Sequence, residues 1–60
     1  MAYAKGNTIM LENLPKGAKV DVYDLQGKHV YSTTNHAIPV QSKGMYILKV
    51  SGEILRVVVQ

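Results

Sequence analysis

The side chains able to do chemistry are few and scattered. The chain holds two histidines, His29 and His36, four carboxylates at Glu12, Asp21, Asp24 and Glu53, and no cysteine. A metal site takes three or four ligands, and without thiolates the histidines would need carboxylates gathered from distant positions. His29 reads instead as a cross-strand surface partner of Tyr23, and His36, in TTNHA, as a loop or strand-start residue. Ser32, Ser42 and Ser51 fall on strands or turns, and none lies in a G-x-S-x-G elbow. Asp21 and Asp24 are three positions apart, so on a strand they point to opposite faces and cannot act as a carboxylate pair. The glycines make neither G-x-G nor a P-loop. The expectation is a chain with no catalytic residue, no metal and no cofactor, and not an enzyme.

Charge narrows the partners. Seven Lys and Arg stand against four Asp and Glu, a formal net charge of +3. The bases are spread singly, at Lys5, Lys16, Lys19, Lys28, Lys43, Lys49 and Arg56. Nucleic-acid binding calls for base clustering on one face, so no nucleic-acid partner is expected. Single lysines on strands and turns keep exposed edges soluble. No apolar run approaches the ~18 residues of a membrane span. The opening MAYAKGN lacks the apolar core of a secretory signal peptide. Residues 1–6 are expected to be a starting segment or linker remnant, and residues 7–60 one domain.

The elements that would position these residues are strands. Apolar residues recur with period two: Ile9 and Leu11; Ala18, Val20 and Val22; Tyr46, Leu48 and Val50; Leu55, Val57 and Val59. Pro15, Gly17, Gly27, Gly44 and Gly52 punctuate them. Short strands at regular spacing predict an all-β fold, a small sandwich or barrel built of hairpins. In VYDLQGKHVY, Asp24–Lys28 fits a three-residue hairpin loop. Leu25 and Gln26 form a type I turn, Gly27 takes the left-handed bulge position, and Asp24 caps the turn. That register sets Tyr23 opposite His29, Val22 opposite Val30, Asp21 opposite Tyr31 and Val20 opposite Ser32. The valines then share the core face. Tyr23 and Tyr31 share the outer face, close enough for a sugar-stacking platform, although strand propensity and half-burial explain both.

A second hairpin closes on Ser51–Gly52, with Val50 opposite Glu53, Leu48 opposite Leu55 and Tyr46 opposite Val57. One face is Tyr46, Leu48, Val50, Leu55 and Val57. The other, Met45, Ile47, Lys49, Ile54, Arg56 and Val58, is too apolar to be merely solvated. Either it packs on more structure or it is a contact surface.

Three stretches, V-x-V-Y-D-L-x-G-K at Val20–Lys28, K-G-M-Y-I-L-K-V at Lys43–Val50 and the basic-apolar strand Leu55–Gln60, stand in the order that resembles the C-terminal sorting domain of the type IX (Por) secretion system of Bacteroidetes. The likeness covers about Asn7–Gln60. It implies an immunoglobulin-like antiparallel β-sandwich at the C-terminus of a secreted or surface protein. It also implies a signal recognised by an outer-membrane translocon after the cargo has reached the periplasm. In many members a sortase-like peptidase then removes the domain and attaches the cargo to a surface lipopolysaccharide. The family's motif positions fall on Val22, Tyr23, Asp24, Leu25, Gly27 and Lys28, and on Lys43, Gly44, Tyr46, Leu48, Lys49 and Val50. Gly27 and Gly44 serve turns, Tyr46 and Leu48 serve the core, and the signal is placed in Lys43–Gln60.

The implied partners are the translocon, the peptidase and an N-terminal cargo domain. The implied location is the periplasm in transit, then the cell surface or medium. The middle section, Ser32–Gln41, is compact. It predicts that one or two sandwich strands are missing or come from a neighbour, leaving room for a homodimer or strand exchange. The residues alone support a second reading, a glycan- or protein-binding module on a secreted enzyme. The terminal strand offers a physical means of being read: at a sheet edge, Ile54–Gln60 can add to a partner's sheet. Arg56 and Val57 are its recognition or motif residues, with Val57 serving either the core or that contact.

Overall fold

The structure, a computed structural model, describes residues 1–60. Seven strands follow one another: β1 Ala2–Lys5, β2 Thr8–Leu11, β3 Val20–Asp24, β4 His29–Thr33, β5 Ala37–Pro39, β6 Gly44–Val50 and β7 Glu53–Val59. They form two antiparallel sheets, ordered β1-β2-β5 and β4-β3-β6-β7. Of the sandwich and the barrel that the period-two pattern allows, the chain forms the small antiparallel β-sandwich that the resemblance implies, with the seven strands of an immunoglobulin-like count. The compact middle section holds a strand of its own, β5.

The alternation works by putting every second side chain inside. Ile9, Leu11 and Ile38 face inward from the smaller sheet; Val20, Val22, Tyr46, Leu48, Val50, Val57 and Val59 face them from the larger. All ten buried residues are apolar. Fully burying a side chain such as Leu48 contributes about 1.5–3 kcal/mol, so ten of them make a small core with little to spare.

The β6–β7 hairpin has the expected register at every position, including Val50 opposite Glu53, Leu48 opposite Leu55 and Tyr46 opposite Val57. Its two loop residues, Ser51 and Gly52, have φ of 50° and 77°. Two positive φ values in a row make a type I′ turn, whose twist matches that of the strands.

Four expectations need correction. First, residues 2–5 are not a linker. They pair with β2 from Ala2 opposite Leu11 to Lys5 opposite Thr8, through a two-residue loop in which Gly6 has φ 59°, the position where a type II′ turn needs glycine. Second, the β3–β4 register slips. Tyr23 does face His29, but Val22 faces Tyr31, Asp21 faces Ser32 and Val20 faces Thr33. Val30 is the extra residue of a β-bulge, which turns every later residue of β4 to the other face. Third, Val30 is therefore not a core valine and is 47% exposed. Fourth, Gly44 is not in a turn. It opens β6 opposite Val59, with φ 141°, a conformation that only glycine adopts without strain.

Candidate functional site

Two surfaces collect the residues singled out from the sequence. The first is the outer face of the larger sheet. Across its strands the register builds one row of His29, Tyr23, Ile47 and Arg56, and a second of Ser32, Asp21, Lys49 and Ile54, with Met45 and Val58 paired beyond them. No other segment of the chain covers this face. Ile54 is 62% and Val58 51% exposed, while Tyr23, Met45 and Ile47 are half-buried by their neighbours.

Polar contacts hold one end of these rows. The Tyr23 and His29 rings meet edge to face at 5.1 Å and 68°, the surface pair expected of His29. The Lys49 ammonium sits 5.1 Å from the Tyr23 ring centre, within reach of a cation–π attraction. His29 Nε2 lies 3.1 Å from Asp21 Oδ1. The hydrogen bond from His29 holds the Asp21 carboxyl below its ordinary value, helped by Ser32 and by the nearby charge of Lys19 and His29, against a smaller opposing effect of burial. At the other end, Arg56 stands exposed among apolar side chains. Such a surface suits a protein partner that brings apolar groups and a carboxylate. It carries no nucleophile–base pair.

The second surface is a cleft of about 460 Å³ between β4 and the segment after β5, lined by Asp24, Val30, Tyr31, Pro39, Val40, Gln41, Ser42 and Tyr46. The bulge at Val30 brings Tyr31 here and parts it from Tyr23, which remains on the outer face. The two tyrosines therefore do not form the stacking platform that an unbroken register would make. Tyr46, only 5% exposed, forms the cleft floor and donates its hydroxyl to the Ser42 carbonyl at 2.7 Å.

The motif residues divide among three tasks. Val22, Tyr46, Leu48, Val50 and Val57 are buried in the core. Asp24, Leu25, Gly27 and Lys28 build the turn: Asp24 Oδ1 accepts the N–H of Gln26 at 3.0 Å and of Lys28 at 2.9 Å. Gly27 has φ 86° and donates its N–H to the Asp24 carbonyl at 3.0 Å. Tyr23, Lys43, Lys49 and Arg56 remain as surface groups. The sequence leaves Val57 open between core and contact, and the structure closes it into the core at 4% exposure. His36 precedes β5, where its carbonyl accepts the Leu11 N–H at 2.9 Å. Its ring Nε2 is buried without a hydrogen-bond partner, a feature that nothing in TTNHA signals.

Comparison with known proteins gives one match. The family model of the secretion system C-terminal sorting domain matches residues 4–60. No curated protein matches the chain, and no solved structure does. The matched span takes in β2 to β7 whole and the end of β1, and with them all three motif stretches. Domains of this family are sorting signals for type IX secretion in Bacteroidetes. They ride on secreted or cell-surface proteins, interact with the secretion machinery and are in general non-catalytic. A match over nearly the whole chain means that this chain belongs to the family of type IX secretion C-terminal sorting domains.

Proposed function

We propose that the domain is a non-catalytic signal that directs an N-terminal cargo across the outer membrane by the type IX system. The cargo travels through the periplasm and ends at the cell surface or in the medium. The family match over residues 4–60 carries this reading. The partner is the outer-membrane translocon, with a sortase-like peptidase acting afterwards. The uncovered outer face of β6 and β7 supports a contact there: Lys49 and Arg56 supply charge, and Ile54 and Val58 supply apolar area. The buried motif residues serve the signal by holding the face in shape.

An export assay tests the reading. Met1–Gln60 is fused to the C-terminus of a periplasm-targeted reporter in a Bacteroidetes host with a working type IX system. The expected result is reporter at the surface or in the medium, lost when Lys43–Gln60 is deleted. A reporter that stays in the periplasm while the domain is folded would overturn it.

A further inference from the structure

The four sheet edges are not alike. β4 is bulged at Val30, and a bulge twists an edge away from any added strand. β5 has three residues and ends in Pro39, which has no N–H to offer. β7 has seven residues in unbroken register with β6. Its hydrogen bonds to β6 follow from the loop. Val50 and Glu53 close a two-residue turn, so theirs is a hydrogen-bonded pair, and the bonded pairs then alternate along the hairpin. Leu55, Val57 and Val59 bond to β6. Ile54, Arg56 and Val58 point their N–H and C=O groups the other way.

Those outward groups face β1, which runs beside β7 but forms no strand pair with it. None of the backbone bonds outside the strand ladders joins the two. β1 is held on one side only, by its four-residue ladder to β2 and by the bonds between Met1 and Glu12. Its inward side chains are Ala2 and Ala4, only partly buried against the core, and its partner on the other side is β2 alone.

We propose that β1 is a displaceable cover: an extended segment of the partner protein exchanges for it and hydrogen-bonds to the backbone of Ile54, Arg56 and Val58 on β7. The inference rests on the reading of the domain as a signal bound by another protein, and it names the mode of binding. The incoming strand carries branched apolar side chains on its inward face, where they fill more space than the methyl groups of Ala2 and Ala4. On its outward face it carries a carboxylate placed to meet Arg56 or Lys49. Backbone bonds supply affinity in such strand addition, and the alternate side chains supply choice of partner.

Amide hydrogen exchange on the full chain tests the premise without any variant. The amides of Ile54, Arg56 and Val58 are expected to exchange ~10-fold or more faster than those of Leu55 and Val57. Equal protection of the two sets would mean that the edge is already paired, and would overturn the proposal.

The export reporter tests the rest. Arg56→Pro removes an outward N–H and leaves the β6 ladder intact, whereas Arg56→Ala removes only the side chain. Export is expected to fall ~10-fold further in the proline variant, with its thermal transition retained. Ile54→Pro and Val58→Pro repeat the test at the other two outward amides. The double variant Ala2→Val, Ala4→Val strengthens β1 and is expected to melt higher and export less. Full export of all three proline variants would remove strand addition while leaving the sorting signal standing. Export that persists without Lys43–Gln60 would remove the sorting reading itself.

Discussion

The hydroxyl of Tyr46 donates a 2.7 Å hydrogen bond to the backbone carbonyl of Ser42, four residues earlier, and lies 3.2 Å from the Ser42 Oγ. The bond ties the start of β6 to the loop that leads into it. Tyr46→Phe keeps the buried ring and removes the bond. It is expected to cost about 1 kcal/mol, or roughly 4–8 °C in the melting temperature of a domain this small. A urea titration with an unchanged midpoint would show that the loop needs no such tie.

Val57 and Arg56 are neighbours in opposite settings, one buried and one exposed. Val57→Asp puts a carboxylate among apolar side chains with no partner, at a cost of about 3 kcal/mol or more. Against the thin stability of a 60-residue chain, that unfolds the domain. Arg56→Glu reverses a charge on an open surface and shifts stability by less than about 0.5 kcal/mol, while export falls. Circular dichroism melts separate the two. A folded Val57→Asp domain that fails in export would return Val57 to the contact surface.

The Asp24 turn concentrates two small contributions. Asp24→Ala removes an acceptor for the Gln26 and Lys28 N–H groups and is expected to cost about 1 kcal/mol. Gly27→Ala places a Cβ at φ 86° and costs a similar amount, about 1–2 kcal/mol. The space around Gly27 is open, so the cost is one of backbone conformation and not of collision. Because both residues shape one loop, the double variant should lose less than the sum. Asp24→Asn, which keeps an acceptor oxygen, is expected to recover most of the loss.

Asp21 sets an acid limit. Its carboxyl titrates lower in the folded chain than its ordinary value of 3.8, so the folded state holds the ionised form more strongly than the unfolded state does. The resulting stabilisation is fully present above that ordinary value and drains away as pH falls through the folded one. Melting temperature followed from pH 7 down to about pH 2 should therefore drop more steeply in the parent than in Asp21→Asn. Parallel curves would show that the His29 and Ser32 hydrogen bonds do not favour the charged carboxylate.

How legible the fold is depends on where its constraints lie. The β6–β7 hairpin can be read residue by residue because Ser51–Gly52 fixes the loop and both strands bury one face, which leaves a single register. The Asp24–Gly27 loop is equally readable from its turn chemistry. The slip at Val30 is not, since HVYST contains no glycine or proline to announce it. It occurs where β4 has no neighbour beyond it and the smaller sheet does not cover it, so no core position enforces the alternation. β1 goes unread because AYAK offers only four residues of pattern and two small side chains. The candidate surface is half legible. The basic-apolar strand is visible in the sequence, but the burial of Val57 and the parting of Tyr23 from Tyr31 depend on packing between segments far apart in the chain.

The place of Val59 bears on when the core can be completed. It is the last residue of β7 and is 1% exposed, and with Val57 it supplies two of the ten core side chains. β6 lies in the middle of the larger sheet only because β7 is beside it. While the ribosome is still making the domain, the earlier strands have nothing to close against on that side. The full ten-residue core can therefore assemble only after the final strand has been synthesised.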